Sequence, residues 1–167
     1  MGPAFAAVGA AIAALLQATV GSRYQILDAQ LQPVLVLGVA VTLVYGFEEG
    51  MTWAFVGGLF VDFLGMRPMG STPFGLLAVI AATELAAPLL ARSRYAGTIA
   101  AVVVLTPAYV VVSDVLTGLL SPPTQSIHPT ALIAAAIANG IVAALAAPLV
   151  VILKRRAELR ERVIWWR

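Results

Sequence analysis

The chain reads as all-α, a polytopic membrane bundle of six transmembrane helices, and three observations predict it. Apolar residues make up 61% of the 167 positions and charged residues 11%, with a mean hydropathy of +0.98. A soluble domain of this length exposes too large a share of its residues to hide so much apolar surface. The apolar residues also arrive in long runs instead of alternating with polar ones, and about 20 such residues cross the hydrocarbon. The breaks between runs carry proline, glycine and charge, the punctuation expected of helix ends.

The first span runs from about Pro3 to Val20. It lacks a basic leading region and its apolar stretch is a full span long, so it is expected to be a retained helix and not a signal peptide. The second, Gln32 to Gly46, and the third, Gly50 to Gly65, are short and joined through Phe47-Glu48-Glu49. The fourth runs from Thr72 to Ala91, the fifth from Ala96 to Leu120 and the sixth from Pro129 to Leu153. Ser71-Thr72-Pro73 and His128-Pro129-Thr130 put proline where the first turn of a helix tolerates it. Ser121-Pro122-Pro123-Thr124 is a break, whereas Pro88, Pro107 and Pro148 fall inside apolar runs, where membrane helices accept a kink. Residues 1–153 are therefore expected to form the membrane domain, and residues 154–167 a basic, amphipathic cytoplasmic tail continuing the sixth helix.

Orientation follows the positive residues of short loops. Arg92, Arg94, Lys154, Arg155, Arg156, Arg160, Arg162 and Arg167 share one side, leaving only Arg23 and Arg67 of the 10 Lys and Arg on the other. Both termini and Glu48-Glu49 are thus expected in the cytoplasm, with Arg67 and His128 external. In the tail, Leu159, Val163 and Trp166 recur at helical spacing, and Glu158 can pair with Arg162 at i,i+4. A helix lying among lipid headgroups and a stop-transfer cluster with an aromatic anchor, Trp165-Trp166, both fit that pattern.

Asp62, Glu84 and Asp114 are acids within spans, and a carboxylate at mid-bilayer costs about 2.5–3.5 kcal/mol on insertion scales, so it is expected to face protein. Two aspartates at similar depth raise the chemistry of paired carboxylates dividing acid and base roles. The flanks, Phe-Val-Asp-Phe-Leu and Val-Ser-Asp-Val-Leu, give an aspartyl hydrolase little support. The favoured expectation is structural: Asp62 and Asp114 accept hydrogen bonds from neighbouring helices, or Asp62 pairs with Arg67 five residues on. Cysteine is absent, which excludes disulfides, thiolate metal sites and cysteine nucleophiles. Phosphate loops, nucleophile elbows and metal-spaced clusters are lacking too. No enzyme activity, cofactor or nucleic-acid partner is expected.

Small residues supply the other pattern. Gly46, Gly50, Ala54, Gly57 and Gly58, and on the sixth span Ala136, Gly140 and Ala144, recur at three- and four-residue spacings, with Asn139 placed to hydrogen-bond across helices. Such faces let helices approach closely, and close packing replaces the hydrophobic force missing between helices in lipid.

The order of these residues resembles the rod shape-determining protein MreD family. The resemblance lies in the six-span layout, in Leu15-Leu16-Gln17-Ala18-Thr19, in Pro33, and above all in Glu49-Gly50, Gly57-Gly58-Leu59, Asp62 and Pro68-Met69-Gly70. It is similar to the family's Glu-Gly, Gly, Gly-Leu-x-x-Asp, Pro-x-Gly run, although Val34 stands where the family often has Asp after the proline. The resemblance implies a non-enzymatic subunit of the bacterial inner membrane, part of the cell-elongation machinery. It implies association with MreC, a single-span protein with a large external domain, and action near the MreB filament, the glycan polymerase RodA and its transpeptidase. It also implies a fold similar to the substrate-binding membrane subunits of energy-coupling-factor vitamin transporters. That fold likeness supplies the alternative, a subunit binding a vitamin-like small molecule in an externally open pocket, to which Arg23, Gln25, Gln30, Gln125 or His128 could contribute. The residues expected to serve packing or partner binding are Glu49, Gly50, Gly57, Gly58, Asp62, Arg67, Gly70 and Asp114.

Overall fold

The computed structural model describes the backbone of residues 2–21, 25–26, 29–90, 93–120 and 129–164, and side chains at 2–19, 30–90, 93, 95–120 and 129–156. Arg23, Arg92, Gln125, His128, Trp165, Trp166 and Arg167 lie outside the described residues, as do the side chains of Gln25, Arg94 and the tail from Ala157 onward. Six α-helices lie within the described residues: α1 (Pro3–Gly21), α2 (Pro33–Tyr45), α3 (Phe47–Leu64), α4 (Ser71–Leu90), α5 (Arg94–Leu120) and α6 (Pro129–Ile164). Between α1 and α2 a minimal antiparallel hairpin pairs β1 (Gln25–Ile26) with β2 (Ala29–Gln30), where the sequence suggests only a loop. Strands of two residues are too short for alternation to announce them.

Among the described residues, three helices are long and apolar enough to cross a membrane: Ser71–Leu90, Tyr95–Leu120 and Pro129–Arg156. Pro3–Thr19 and Pro33–Tyr45 are apolar but shorter, and α3 carries Glu48, Glu49 and Asp62 within its 18 residues. Pro88, Pro107 and Pro148 lie inside α4, α5 and α6.

α2 is the hub. It packs against α1, α3, α4, α5 and α6, while around it α1 meets α3, α3 meets α4, α4 meets α5 and α5 meets α6. Its 13 residues reach only about 20 Å, and most of them are buried, including Val34, Leu35, Val36, Val39, Ala40 and Val41.

The bundle buries an apolar core with a few polar side chains set into it, and it exposes large apolar side chains. Thr42, Thr83, Thr98, Thr106, Asn139 and Asp62 are buried, while Leu85 and Leu89 stand 83% and 85% exposed and Phe63 69% exposed. Thr42, Thr83 and Thr106 donate to the carbonyls of Gly38, Val79 and Val102, so these hydroxyls are satisfied within their own helices. Large apolar side chains outside, with the buried polar ones bonded internally, are what helices need when their surroundings are hydrocarbon.

One boundary departs from expectation. α3 begins at Phe47 and not at Gly50, so Phe47-Glu48-Glu49 is its first turn and not a linker. Gly46 alone joins α2 to α3: its N–H donates to Thr42 O at 3.0 Å, and its carbonyl accepts from Gly50 N–H at 3.2 Å. The junction needs φ +127°, which only glycine adopts without strain. Glu48 and Glu49 then sit at the positive end of the α3 dipole, where acids are favourable.

Candidate functional site

The most organised polar site lies where α3 turns back into α4. Gly65 ends α3 with its N–H on Val61 O at 2.9 Å, and Arg67 N–H donates to Asp62 O at 3.0 Å. The turn passes through Met66 (φ +51°) and reaches Gly70 (φ +103°), whose carbonyl accepts from Phe74 N–H as the first bond of α4. Gly70 is thus the cap residue of α4, and it carries no side chain to do the capping. Asp62 supplies one from α3. Its carboxylate accepts from Gly70 N–H at 2.8 Å, from Thr72 N–H at 3.2 and 3.3 Å, and from the Ser71 hydroxyl at 3.3 Å. Asp62 is 0% exposed, and here it performs across helices what a capping aspartate does locally.

Close approach of the helices makes this reach feasible. A Cβ on Gly58 would lie 2.6 Å from both Cα and N of Pro73, so α3 touches the α4 backbone there. Gly57 faces Val34 and Ala10, with a Cβ at 2.7 Å from a Val34 methyl, and Gly50 accommodates Thr42 and Ile80. Between them on α3, Trp53 lies over Gly9 and Gly38 and donates its indole N–H to Val34 O at 2.9 Å. The small residues of α3 therefore face three neighbours, α1, α2 and α4.

Similar ties hold α2. Gln17 of α1 accepts from Val34 N–H at 3.2 Å, and Asn139 of α6 accepts from Gln32 N–H at 2.9 Å while donating to Gln32 Oε1 at 3.4 Å. With Pro33 at the first helical position, where no N–H is needed, the α2 N-terminus is capped by two other helices. At its other end the Lys154 ammonium donates to Val44 O at 2.6 Å and stands 5.7 Å from the Tyr45 ring centroid. A cation at the C-terminal end of a helix complements its dipole.

The expected residues divide accordingly. Gly58, Asp62 and Gly70 serve the α3–α4 hairpin, whereas Gly50 packs against α2 and α4 and Gly57 against α1 and α2. Glu49 is half-buried with its carboxylate beside Gly46. Arg67 is exposed and donates to Gln30 Oε1 at 3.3 Å, so the charged neighbour expected for Asp62 is replaced by the α4 N-terminus. Asp114 and Glu84 are exposed, whereas Asp62 is buried. One residue decides this: Ser113 faces inward, which turns its neighbour Asp114 away. The sequence marks Gln32 and Thr72 only as span boundaries and gives Trp53 and Tyr109 no role. Trp53 had a signal, since a lone tryptophan amid glycines at helical spacing needs both a flat surface and an acceptor. Asn139 bonds across helices within this chain, with Gln32 as the partner. Among the described residues, no group of three or more His, Cys, Asp or Glu could hold a metal ion.

Chemically, the arrangement binds helix ends together, with the Asp62 lone pairs taken up by three donor groups. Compared with protein-family models, curated proteins and solved structures, the chain matches none of them. The fold and site define an all-helical protein of membrane character whose central short helix is held at both ends by its neighbours.

Proposed function

We propose that this chain is an MreD-like, non-enzymatic scaffold subunit of the bacterial cell-elongation complex. It would be multi-pass in the inner membrane with both termini cytoplasmic, bind an MreC-like single-span protein, and support peptidoglycan synthesis and cell shape. Its links to the MreB filament and the polymerase–transpeptidase pair would be direct or through that partner. The observation that carries this reading is that the family-like residues all serve helix packing: Gly50, Gly57 and Gly58 seat α3 against α1, α2 and α4, and Asp62 ties α3 to the start of α4 at Gly70. A scaffold needs a fixed outer surface, and internal ties of this kind supply it. The apolar exterior supports a membrane setting, and the eight-to-two split of Lys and Arg supports the orientation.

The test is co-expression with an MreC-like protein followed by purification in mild detergent. The two chains are expected to co-elute as one species. Failure to associate, together with tight retention of a small molecule, would replace this reading with the vitamin-binding transporter subunit.

A further inference from the structure

α4 carries an acid on the face it turns away from the bundle. The helix packs on α2, α3 and α5, while Ala81, Glu84, Leu85, Pro88 and Leu89 form an exposed side toward its end. Among the described residues, no hydrogen bond or ion pair reaches the Glu84 carboxylate. The helix is long and apolar enough to cross a membrane, and Glu84 precedes its last residue, Leu90, by about 9 Å of helix. Side chains of a helix lean toward its N-terminus, so this one is aimed toward mid-span and not toward the nearer surface. Acids in spanning helices almost always face protein or an aqueous cavity and are paired there.

A second acceptor lies at the same residue. Pro88 has no N–H, so it withdraws the donor that the Glu84 carbonyl would find four residues on. Pro148 opens the same gap in α6, and there the freed carbonyl of Ala144 accepts from the Tyr95 hydroxyl of α5 at 3.2 Å. A side chain from a neighbouring helix thus completes α6 from within the chain. On α4 none of the described residues does so, and the gap faces outward beside a carboxylate. Pro107 frees the carbonyl of Val103, which has no charge beside it, and Asp114 is followed four residues on by Gly118, which keeps its N–H. Two acceptors side by side, one of them charged, fit a cation with several N–H donors, an ammonium or a guanidinium. Lys and Arg concentrate at the cytoplasmic ends of spanning segments, where the charge split also puts the Leu90 end of α4, and their long stems can lie along an apolar face.

We propose that the exposed face of α4 around Glu84 docks a spanning helix of another protein, whose Lys or Arg near its cytoplasmic end donates to the Glu84 carboxylate and carbonyl. The identity of that protein as the MreC-like partner rests on the function proposed above, whereas the chemistry of the face does not.

The test pairs Glu84→Leu with two binding measurements. The detergent-purified variant is expected to melt at or above the parent, because no bond within the chain is lost. Its co-elution with a co-expressed MreC-like protein should weaken by about 10- to 100-fold, as for a hydrogen bond between charged groups. Undiminished co-elution overturns the proposal, and so does a lower melting temperature, which would mean that the carboxylate is held within the chain. A parent chain that fails to co-elute removes the MreC-like partner alone, and a second probe then decides the face. That probe is a synthetic Leu-Ala spanning peptide with one Arg about 9 Å from its end, beside the same peptide with Leu there, each measured by energy transfer to the labelled chain in lipid vesicles. Tighter binding of the Arg peptide to the parent, lost in Glu84→Leu, supports the proposal, and equal binding of the two peptides overturns it.

Discussion

Replacing Asp62 with alanine strips the cap from α4 without touching the α4 sequence. The carboxylate has four contacts to three donors: Gly70 N–H at 2.8 Å, Thr72 N–H at 3.2 and 3.3 Å, and the Ser71 hydroxyl at 3.3 Å. Only the first is short. Bonds to a charged acceptor contribute about 1.5–3 kcal/mol each, and losing a helix cap costs about 0.5–2 kcal/mol. Summing all contacts at full value would overcount, because the longer ones are weak and the Ser71 hydroxyl can rotate to another acceptor. What remains is the strong Gly70 bond plus the orphaned Thr72 N–H, whose residue is 1% exposed. A loss of about 3–5 kcal/mol follows, in the range for breaking a buried charged network.

At about 2–4 °C per kcal/mol for a chain of this size, the melting temperature should fall by about 6–20 °C. Asp62→Asn retains one acceptor oxygen but aims an amide N–H₂ toward donors, so roughly half the loss is expected. The assay is fluorescence-detected size-exclusion after a heating series, run on both variants and the parent in the same detergent. The reasoning fails if Asp62→Ala melts like the parent while losing only its association with a partner, because the carboxylate would then be a contact and not a tie.

Three further outcomes are expected from the same assay. Gly58→Ala should destabilise by about 1–3 kcal/mol or more, because its methyl meets the Pro73 backbone at 2.6 Å and backbone cannot rotate away, whereas Gly118→Ala, with nothing within 4 Å, should hold or gain about 0.5–1 kcal/mol from helix propensity. Asn139→Ala removes both bonds to Gln32 and leaves its N–H unpaired, so a loss of about 1–3 kcal/mol is expected, with Asn139→Asp keeping part of it through the accepting oxygen. Lys154→Met keeps the apolar stem but withdraws the ammonium from Val44 O and the Tyr45 ring; a fall of about 1–2 kcal/mol that is no larger in high salt would mark a half-buried bond and not a screened surface charge.

The helices were legible in the sequence because hydropathy and prolines act locally. α1, α2, α4 and α5 begin and end within two residues of the runs read from composition and breaks. The start of α3 is harder to read, because a single glycine can turn a chain between helices, and acids in a first turn look like a polar linker when only hydropathy is followed. Facing was harder. Asp62 and Asp114 have similar apolar flanks, yet one is buried and the other exposed. Which side of a helix faces inward depends on the phase at which it packs against helices far away in sequence, and a face as uniformly apolar as that of α5 carries little phase information. Arg67 was expected beside Asp62 from separation alone, but an exposed guanidinium keeps its hydration while backbone N–H groups at a buried helix end have no other acceptor.

The position of Asp62 on its own helix shows why that substitution of partners was physically favoured. It lies in the last turn of α3, at the negative end of the helix dipole, so a carboxylate there is at odds with its own helix. The conflict is relieved only if positive potential is brought to it, and the returning α4 delivers the N-terminal end of a second dipole with its N–H groups foremost. Gly58 allows the two backbones to come close enough, and Gly70 supplies the positive φ that aims those N–H groups at the carboxylate. The same problem recurs at α2, whose short helix ends among other helices, and it is met from outside in the same way by Gln17, Asn139 and Lys154. Helix ends satisfied by distant side chains cannot shift without breaking several hydrogen bonds together. A bundle built like this holds its outer surface in one shape, and fixed shape is the property that a lateral partner in the membrane would require.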